Sequence, residues 1–586
     1  MRIPALLLAA SAVWAQTPSR GPEVPAMPKA LIKLPRTDIT RARYPAVDFH
    51  FHGRTLRTRD DYARLVRLMD DTGVGVIANM DAGFGASFDE AMRTGEPFRD
   101  RIVQFARVDF EGINEPGWSV RTAAELERCF RAGAAGLKIN KALGLELKNK
   151  DGSYIQADDA RFDAVWEACA RHNKPVMIHT SDSYGRFRPI GPENERFEAG
   201  LWRTDNANNY YETGHPAMEV IEKARENMHA KHPKTRFVNA HVAMLYYDMD
   251  KVRALLDKYP NADVEISASV QDLGRAPRMM REFFLKYQNR ILFGTDGNPR
   301  RGIDEFWVPH WRFLETLDEH FDHPAQIRSA TGAPLHGRWK ISGIGLPDDV
   351  LRKVYYENAL RYLPASRAPM QRMVAASEAA ARAAGDQVVW NFDRLDRIGG
   401  HAVTVLGDPK VVDTPIGKAV QFDGVDDALF IANHPLAGAR AFTLEAIFRP
   451  DGGQHEQRWF HLSEQDPLTE IDTNNRMLFE IRVVGKQWYL DSFNQSGGSG
   501  KALMNKNALH PLGEWHHVAS VYDGREFRNY VDGKLEGSAV VDLGPHGPGH
   551  TSAGVRINRV FYFQGAIHKA RFTPRALGVE RFLRVR

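Results

Sequence analysis

The strongest constraint on the fold is an alternation of short strand-like runs with amphipathic helical segments between residues 46 and 296. Runs such as AVDFHFH, PVMIHT and RILFGTD are rich in β-branched and aromatic residues, whereas RDDYARLVRLMDDTG repeats apolar residues at helical spacing. Strands that alternate with helices form βαβ units and a parallel sheet. Eight such strands within about 250 residues predict an α/β fold of the (β/α)₈ barrel type. A doubly wound open sheet is the alternative, although no glycine-rich phosphate loop follows the first strand.

After residue 385 the pattern changes to short alternating strands that are separated by turns rich in Gly and Asp. The stretches VYDG and YVDGK contain the Asp-Gly pairs that tight hairpin turns favour. This pattern predicts an all-β sandwich. The predicted divisions are a signal peptide at 1–15, a Pro-rich linker or arm at 16–44, the barrel at 45–365, an Ala-rich helical linker at 366–385 and the sandwich at 386–586.

The first sixteen residues are more apolar than the rest of the chain. The stretch MRIPALLLAASAVWAQ combines one positive charge, a short apolar run and small residues around Ala15. This pattern is typical of a secretory signal peptide that is cleaved after Ala15, and an apolar N-terminal anchor is the alternative. The run is too short for an ordinary membrane span, and no later segment is long and apolar enough to form one. We therefore expect a secreted or periplasmic protein.

Length and charge limit the classes of partner. A chain of 586 residues is too long for one typical core, so two or more domains are expected. Its 78 Lys and Arg residues nearly balance 74 Asp and Glu residues, and this balance excludes the basic footprint of a nucleic-acid-binding protein.

The two cysteines, Cys129 and Cys169, fall in separate helical segments and are expected as buried thiols rather than as a disulfide.

Polar side chains gather where the predicted barrel strands end, and in such barrels the chemistry lies at these ends. His50 and His52 end the first strand and face the same side of it, because alternate residues of a strand share a face. The other candidates at strand ends are Lys138, His179, His241 and Asp296. Imidazole and carboxylate groups are ligands of zinc, and catalytic zinc keeps one open position. The set therefore predicts a metal site on one rim of the barrel.

The stretches DFHFH, PVMIHT, RFVNAH and RILFGTD occur in the order and spacing of one known family. On these motifs, residues 45–365 resemble the amidohydrolase-related family of metal-dependent barrel hydrolases and decarboxylases. The resemblance implies that one divalent metal ion, Zn²⁺ or alternatively Mn²⁺, is held by His50, His52, His179 and Asp296. It also implies a catalytic or substrate-polarising role for His241. Binuclear relatives use a carboxylated lysine on the fourth strand, which is the alternative to a substrate-facing role for Lys138.

The C-terminal region resembles laminin G-like, concanavalin A-like jelly-roll domains. The motifs are AVQFDGVDDALFI, FTLEAIFRP, EWHHVASVYDG, YVDGK and FQGAIHKARFTPRAL. The resemblance implies a domain that binds a glycan or another protein, or one that only packs on a catalytic partner. Family members usually carry an acidic pair where this chain has His568 and Lys569, so a calcium site is not expected from the family pattern.

The combined expectation is a metal-dependent hydrolase that acts on an ester, lactone or amide bond in a small anionic or sugar-derived substrate. Asp296 would orient the attacking water and take its proton, and His241 would stabilise the oxyanion or protonate the leaving group. Lys138, Arg186 and Arg203 would bind an anionic group of the substrate. Two alternatives stay open: a non-oxidative decarboxylase on the same metal site, and a non-catalytic protein that binds glycans or a surface.

Overall fold

A computed structural model describes residues 39–197, 209–300, 303–324, 339–384, 386–466 and 469–585, together with positions 32, 34, 36, 37 and 337. The predicted signal peptide, most of the predicted arm and Arg203 lie outside these residues. The described chain forms two compact units. The first consists mainly of residues 47–66 and 76–366, and the second mainly of residues 67–75 and 367–586.

Within the described residues, eight parallel strands pair in chain order. Their bounds are β1 (Ala46–Phe51), β2 (Val74–Asn79), β3 (Ile102–Ala106), β4 (Gly136–Ile139), β5 (Val176–Ile178), β6 (Phe237–Asn239), β7 (Ala262–Glu265) and β8 (Ile291–Leu292). The chain after β8 returns to β1, where Phe49 N–H donates to Phe293 O at 3.0 Å and Asp296 N–H donates to His50 O at 2.8 Å. The predicted (β/α)₈ barrel is confirmed.

Helices connect the strands and continue after them. Their bounds are α1 (Arg59–Thr72), α2 (Ala86–Gly95), α3 (Trp118–Arg131), α4 (Asp163–Arg171), α5 (Met218–Lys231), α6 (Met249–Lys258), α7 (Val270–Leu273), α8 (Pro277–Lys286), α9 (Ile303–Glu315), α10 (Asp348–Arg352), α11 (Asn358–Leu360) and α12 (Arg367–Ala384). Cys129 and Cys169 are both buried thiols in the described part of the chain. No helix of the described residues is both long and apolar enough to cross a membrane.

Strand β1 shows how residue alternation builds the barrel. Phe49 and Phe51 are fully buried, and their rings contact Phe105 at 5.5 Å and Trp307 at 5.9 Å between centroids. His50 alternates with these two phenylalanines along the strand and therefore faces the other side. The apolar face of β1 thus packs into the core, while the opposite face presents imidazole groups.

The second unit contains two antiparallel sheets. Its described strands are β9 (Val388–Asn391), β10 (Arg397–Ile398), β11 (His401–Leu406), β12 (Lys410–Thr414), β13 (Gly417–Asp423), β14 (Ala428–Ile431), β15 (Phe442–Pro450), β16 (Glu456–Gln465), β17 (Asp472–Val484), β18 (Gln487–Ser496), β19 (Ser499–Met504), β20 (His510–Pro511), β21 (His516–Tyr522), β22 (Glu526–Val531), β23 (Lys534–Val540), β24 (Gly549–Ala553) and β25 (Gln564–Thr573). One sheet has the order β10-β11-β14-β24-β16-β17-β18-β19, and β20 also pairs with β18. The other has the order β12-β13-β25-β15-β21-β22-β23, and β9 also pairs with β25.

Aromatic side chains fill the core of these sheets. The ring of Trp459 stacks on Phe448 at 4.2 Å and on Phe479 at 5.3 Å between centroids, and all three side chains are fully buried. Burying such side chains is among the largest favourable contributions to folding. The all-β architecture predicted for this region is confirmed.

Candidate metal centre

Two carboxylates hold the histidines of β1. His50 Nδ1 lies 2.9 Å from Glu265 Oε1, at the end of β7, and His52 Nδ1 lies 2.7 Å from Asp81 Oδ2, just after β2. An ionised carboxylate only accepts hydrogen bonds, so each Nδ1 carries the hydrogen. Nε2 of His50 is then left with its lone pair, whereas Nε2 of His52 faces the carboxylate of Asp296. Ligating histidines in metal proteins are oriented in this way by outer carboxylates.

Asp296 meets these two nitrogens. Its Oδ1 lies 3.0 Å from His52 Nε2 and 3.6 Å from His50 Nε2. One donor atom from each of the three residues lies within 4.8 Å of the others. Asp296 has a φ of 57°, a left-handed conformation that is uncommon outside glycine and that turns its carboxylate at the strand end. Three of the four predicted metal ligands are thus brought together.

His179, the fourth predicted ligand, lies beside this set rather than within it. Its ring centroid is 4.4 Å from that of His241. Its Nε2 is buried and has no hydrogen-bond partner among the described residues. A buried polar atom without a partner costs about 1–3 kcal/mol, so such an atom calls for an explanation. A cation at the rim would satisfy it, and the donor set therefore fits one divalent metal ion.

His241 is held by backbone and carboxylate groups. Its Nδ1 donates to Ser267 O at 2.8 Å, and its backbone N–H donates to Glu265 Oε1 at 2.9 Å. The hydrogen on Nδ1 leaves Nε2 as the acceptor of the neutral ring. The ring centroid lies 5.2 Å from that of His50, so His241 borders the three-residue set.

The turn that carries His241 has an unusual backbone. Four consecutive residues have a positive φ: His241 (56°), Val242 (52°), Ala243 (58°) and Met244 (56°). L-residues pay about 1–2 kcal/mol each for this region, so the surrounding structure must hold the turn. The buried Arg225 of α5 does so in part, because its Nη1 donates to Ala243 O at 2.5 Å and to Thr180 Oγ1 at 3.3 Å.

Lys138 lies inside the site. It is 2 % exposed, and its Nζ donates to His50 Nε2 at 2.8 Å. Burial lowers the pKa of Lys138 to about 8, although the charges of Asp296 and Glu265 act in the opposite direction. The ammonium group therefore contacts the nitrogen that is expected to bind metal, and Nζ must move when that nitrogen coordinates an ion.

The charges of the site suit a cation. Burial would raise the pKa of Asp296, but the hydrogen bond with His52 and the nearby histidines hold it well below its usual range. Burial likewise opposes ionisation of Glu265, yet its interactions with His50 lower its pKa to about 2. Burial lowers the pKa of His50 to about 4 and that of His179 well below its usual value. Burial would lower the pKa of His52, but its hydrogen bonds with Asp296 and Asp81 raise it. Ionised carboxylates and neutral imidazoles are the forms that bind metal, so His52 must release a proton when it binds an ion.

The predicted substrate-binding residues differ in their surroundings. Arg186 Nε lies 3.3 Å from Asp182 Oδ1, and Lys141 Nζ lies 2.8 Å from the other oxygen of that carboxylate. The charge of Arg186 is thus directed at Asp182. Lys138 lies in the site, whereas Arg203 falls outside the described residues.

Sequence reasoning missed two residues that support the site: Glu265 orients a candidate ligand, and Arg225 holds the turn that carries His241. Glu265 had a detectable signal, because it is the one carboxylate inside the strand-like run VEIS. Arg225 had none, since a basic residue on an amphipathic helix is ordinarily solvent-facing. Asp81 directly follows the strand β2, and its contact with His52 is set by the fold.

Comparisons with known proteins agree with this architecture. The sequence profile of a family described as Amidohydrolase matches residues 47–365, and that of the concanavalin A-like lectin/glucanases superfamily matches residues 423–581. No curated protein matches the chain.

Solved structures also resemble parts of the chain. One is 2,6-dihydroxybenzoate decarboxylase in complex with 2,6-dihydroxybenzoate (16 % identity, TM-score 0.31, covering 55 % of this chain and 99 % of that one). Another is an uncharacterised TIM-barrel protein from Bordetella bronchiseptica (12 % identity, TM-score 0.33, covering 56 % of this chain and 100 % of that one). A third is domain 4 of the extracellular arabinanase AbnA from Geobacillus stearothermophilus in complex with arabinotriose (19 % identity, TM-score 0.26, covering 33 % of this chain and 94 % of that one). Because the Amidohydrolase profile matches more than half of its residues, this chain belongs to the amidohydrolase family.

Proposed function

We propose that the chain is a metal-dependent hydrolase that cleaves an ester, lactone or amide bond in a small anionic substrate. The observation that carries this proposal is the meeting of Asp296 Oδ1 with the Nε2 atoms of His50 and His52. Together with His179, these residues would hold one divalent ion, Zn²⁺ or alternatively Mn²⁺. When bound, such an ion supplies Lewis acidity that polarises a carbonyl group and makes water easier to deprotonate.

Asp296 is the proton acceptor in this proposal. Its side chain is 32 % exposed, so water and substrate reach it, and its pKa lies well below the usual range. The carboxylate is therefore ionised at neutral pH and able to take a proton from the attacking water and pass it to the leaving group.

His241 would bind the oxygen of the substrate. With its Nδ1 hydrogen directed at Ser267 O, the ring exposes Nε2 next to His50 and His179. Once Nε2 has taken up a proton, the ring would donate a hydrogen bond from that atom to a developing oxyanion, and the held orientation lowers the cost of placing that donor.

Lys138 favours a substrate that carries a negative charge. A buried ammonium group is stabilised by an anion that enters the site, so a carboxylate on the substrate is the natural partner. The same observation favours a second candidate reaction, non-oxidative decarboxylation, in which the carboxylate itself is the reacting group.

A product assay separates the two reactions. We expect the purified chain to release acid from a panel of lactones, esters and amides, and not CO₂ from aromatic carboxylic acids. Metal analysis should show that the barrel centre holds about one equivalent of zinc or manganese, which is the amount lost in His52→Ala. His52→Ala should lose the metal and the activity, whereas His172→Ala, at the C-terminal end of α4, should keep both. CO₂ release without acid release would favour the decarboxylase, and full activity in His52→Ala would contradict both reactions.

We also propose that the chain is exported and that its sandwich binds a carbohydrate. The first proposal rests on the signal-like N-terminus, and the second on the match to the concanavalin A-like superfamily. Sequencing of the mature N-terminus should begin at Gln16, and a glycan array probed with the whole chain should give specific binding. An intact N-terminus or an unreactive array would contradict the respective proposal. Glycan binding without turnover of any substrate would favour the non-catalytic alternative.

A further inference from the structure

We infer that the sandwich carries a second metal site, formed by His510, His516 and Asp532. One donor atom from each residue lies within 4.8 Å of the others. None of these residues belongs to the barrel centre, and the inference does not depend on the proposed reaction.

Each of the two histidines has an outer hydrogen-bond partner. His510 Nε2 lies 2.8 Å from Glu536 Oε1, and His516 Nε2 lies 3.3 Å from Pro511 O. A carboxylate only accepts hydrogen bonds, so His510 Nε2 carries the hydrogen and the lone pair of that ring lies on Nδ1. His516 Nε2 would donate to Pro511 O when its Nδ1 binds an ion. The histidines of the barrel centre are oriented by the same kind of contact.

The remaining contact brings two ligand atoms together. His516 Nδ1 lies 2.8 Å from Asp532 Oδ2. Without an ion, Nδ1 donates its hydrogen to that carboxylate. A metal ion bound by Nδ1 and Oδ2 would replace this hydrogen, and His510 would supply a third donor.

On one side of the proposed site a buried tryptophan holds the two histidines, and on the other side Asp532 is open to solvent. The fully buried Trp488 ring contacts His510 at 4.9 Å and His516 at 5.2 Å between centroids, and its Nε1 donates to Pro511 O at 3.2 Å. This ring limits the motion of both imidazoles. The Asp532 side chain is 48 % exposed, so an ion enters from solvent without any opening of the sandwich.

The three residues come from both sheets. His510 lies on β20, which pairs with β18, whereas His516 lies on β21 and Asp532 follows β22 in the other sheet. An ion held by the three residues cross-links the two sheets. Its binding therefore stabilises the folded sandwich relative to the unfolded chain.

The donor set selects the ion. Two imidazoles and one carboxylate suit zinc and its first-row neighbours, whereas calcium and magnesium take oxygen ligands. We therefore use Zn²⁺ as the probe.

The test uses the whole chain with the barrel centre disabled by His52→Ala and Asp296→Ala. In this background we expect about one equivalent of Zn²⁺ to bind and to raise the unfolding temperature of the sandwich. Adding His510→Gln or His516→Gln should abolish both effects. The matched control is His550→Gln, because His550 also pairs with a carboxylate of the same unit, that of Asp472 at 2.5 Å, and it should leave both effects intact.

A second readout keeps the test decisive if the barrel variants fail to fold. In the parent chain, Cu²⁺ should quench a component of tryptophan emission that is absent in Trp488→Phe, and removal of Cu²⁺ by EDTA should restore it. His510→Gln should lose that component, and His550→Gln should keep it. Zn²⁺ binding or quenching that survives both His510→Gln and His516→Gln would overturn the inference, as would no binding at all.

Discussion

Glu265 Oε1 accepts a hydrogen bond from His50 Nδ1 at 2.9 Å, although the two residues are 215 positions apart in the chain. The same oxygen accepts from the backbone N–H of His241 at 2.9 Å. One buried carboxylate on β7 therefore orients both a candidate metal ligand on β1 and a candidate catalytic residue after β6. The geometry of the site therefore depends on a residue outside the predicted ligands and catalytic residues.

Removing the charge of Glu265 should weaken metal binding. In Glu265→Gln the side chain no longer enforces the hydrogen on His50 Nδ1, and we expect the affinity for Zn²⁺ to fall by about 10–100-fold. Zinc titration against a competing chelator measures the change. The control is Glu222→Gln on α5, which removes a carboxylate that pairs with Lys251 of α6. This variant should bind Zn²⁺ like the parent. Equal affinity in Glu265→Gln would show that the contact has no orienting role.

Replacing Ala243 by glycine in the left-handed turn should stabilise the folded chain. Ala243 has a φ of 58° and carries only a methyl group, so Ala243→Gly removes the steric cost and loses little buried surface. We expect an increase of up to about 1 kcal/mol in the free energy of unfolding. Ala224→Gly, in the interior of α5, should decrease it by about 1 kcal/mol. Chemical denaturation measures both values, and a destabilising effect of equal size at both positions would argue against strain at Ala243.

Arg225 should matter for both stability and catalysis. Arg225→Met removes the donor to Ala243 O and leaves that carbonyl without this bond, at a cost of about 1–3 kcal/mol. Because the same turn carries His241, we expect kcat to fall more than KM changes. Arg253→Met, which loses an ion pair with Asp250 on α6, serves as the control and should change neither parameter. A loss of stability with unchanged kcat would limit Arg225 to a structural role.

Lys138→Met should distinguish an anion-binding lysine from a bridging ligand. If Lys138 binds the substrate anion, KM for an anionic substrate rises about 10-fold or more, while KM for a neutral analogue stays constant. The variant should still bind its metal ion, because Lys138 Nζ no longer competes with that ion for His50 Nε2. Loss of a second equivalent of metal in Lys138→Met would instead support the binuclear alternative.

Acid should destabilise the barrel through His229. Burial, followed by the charge of Arg225, lowers the pKa of His229 to about 3 in the folded chain, against 6.5 for the free side chain. Between these values the unfolded chain binds one more proton, so the free energy of unfolding falls as pH decreases below 6.5. The loss attributable to this residue is about 2 kcal/mol at pH 5.

Replacement of His229 checks this sign. His229→Gln should flatten the dependence of unfolding free energy on pH between 7 and 5 by about 2 kcal/mol relative to the parent. Denaturation curves at several pH values measure this difference. An unchanged slope would mean that another buried group, such as His310 with its pKa lowered to about 4 by burial, dominates acid unfolding.

Local sequence patterns determined the fold class. Alternating apolar residues in AVDFHFH and helical spacing in RDDYARLVRLMDDTG reflect backbone periodicities that act over a few residues, so the barrel and the following sandwich were predictable. The strand-end positions of His50, His179 and Asp296 follow from the same reasoning, since parallel strands of a barrel end on one rim. Their roles as ligands stay predictions.

Only the tertiary structure decided which groups meet on that rim. The contact between Glu265 and His50, the support of Ala243 by Arg225 and the approach of His510 to His516 depend on strand register and on packing between distant segments. No local pattern encodes those distances, because a side chain's partner across the fold is set by barrel closure and sheet stacking. The sequence by itself thus determined the kind of chemistry at the strand ends, and the fold determined which atoms are placed to perform it.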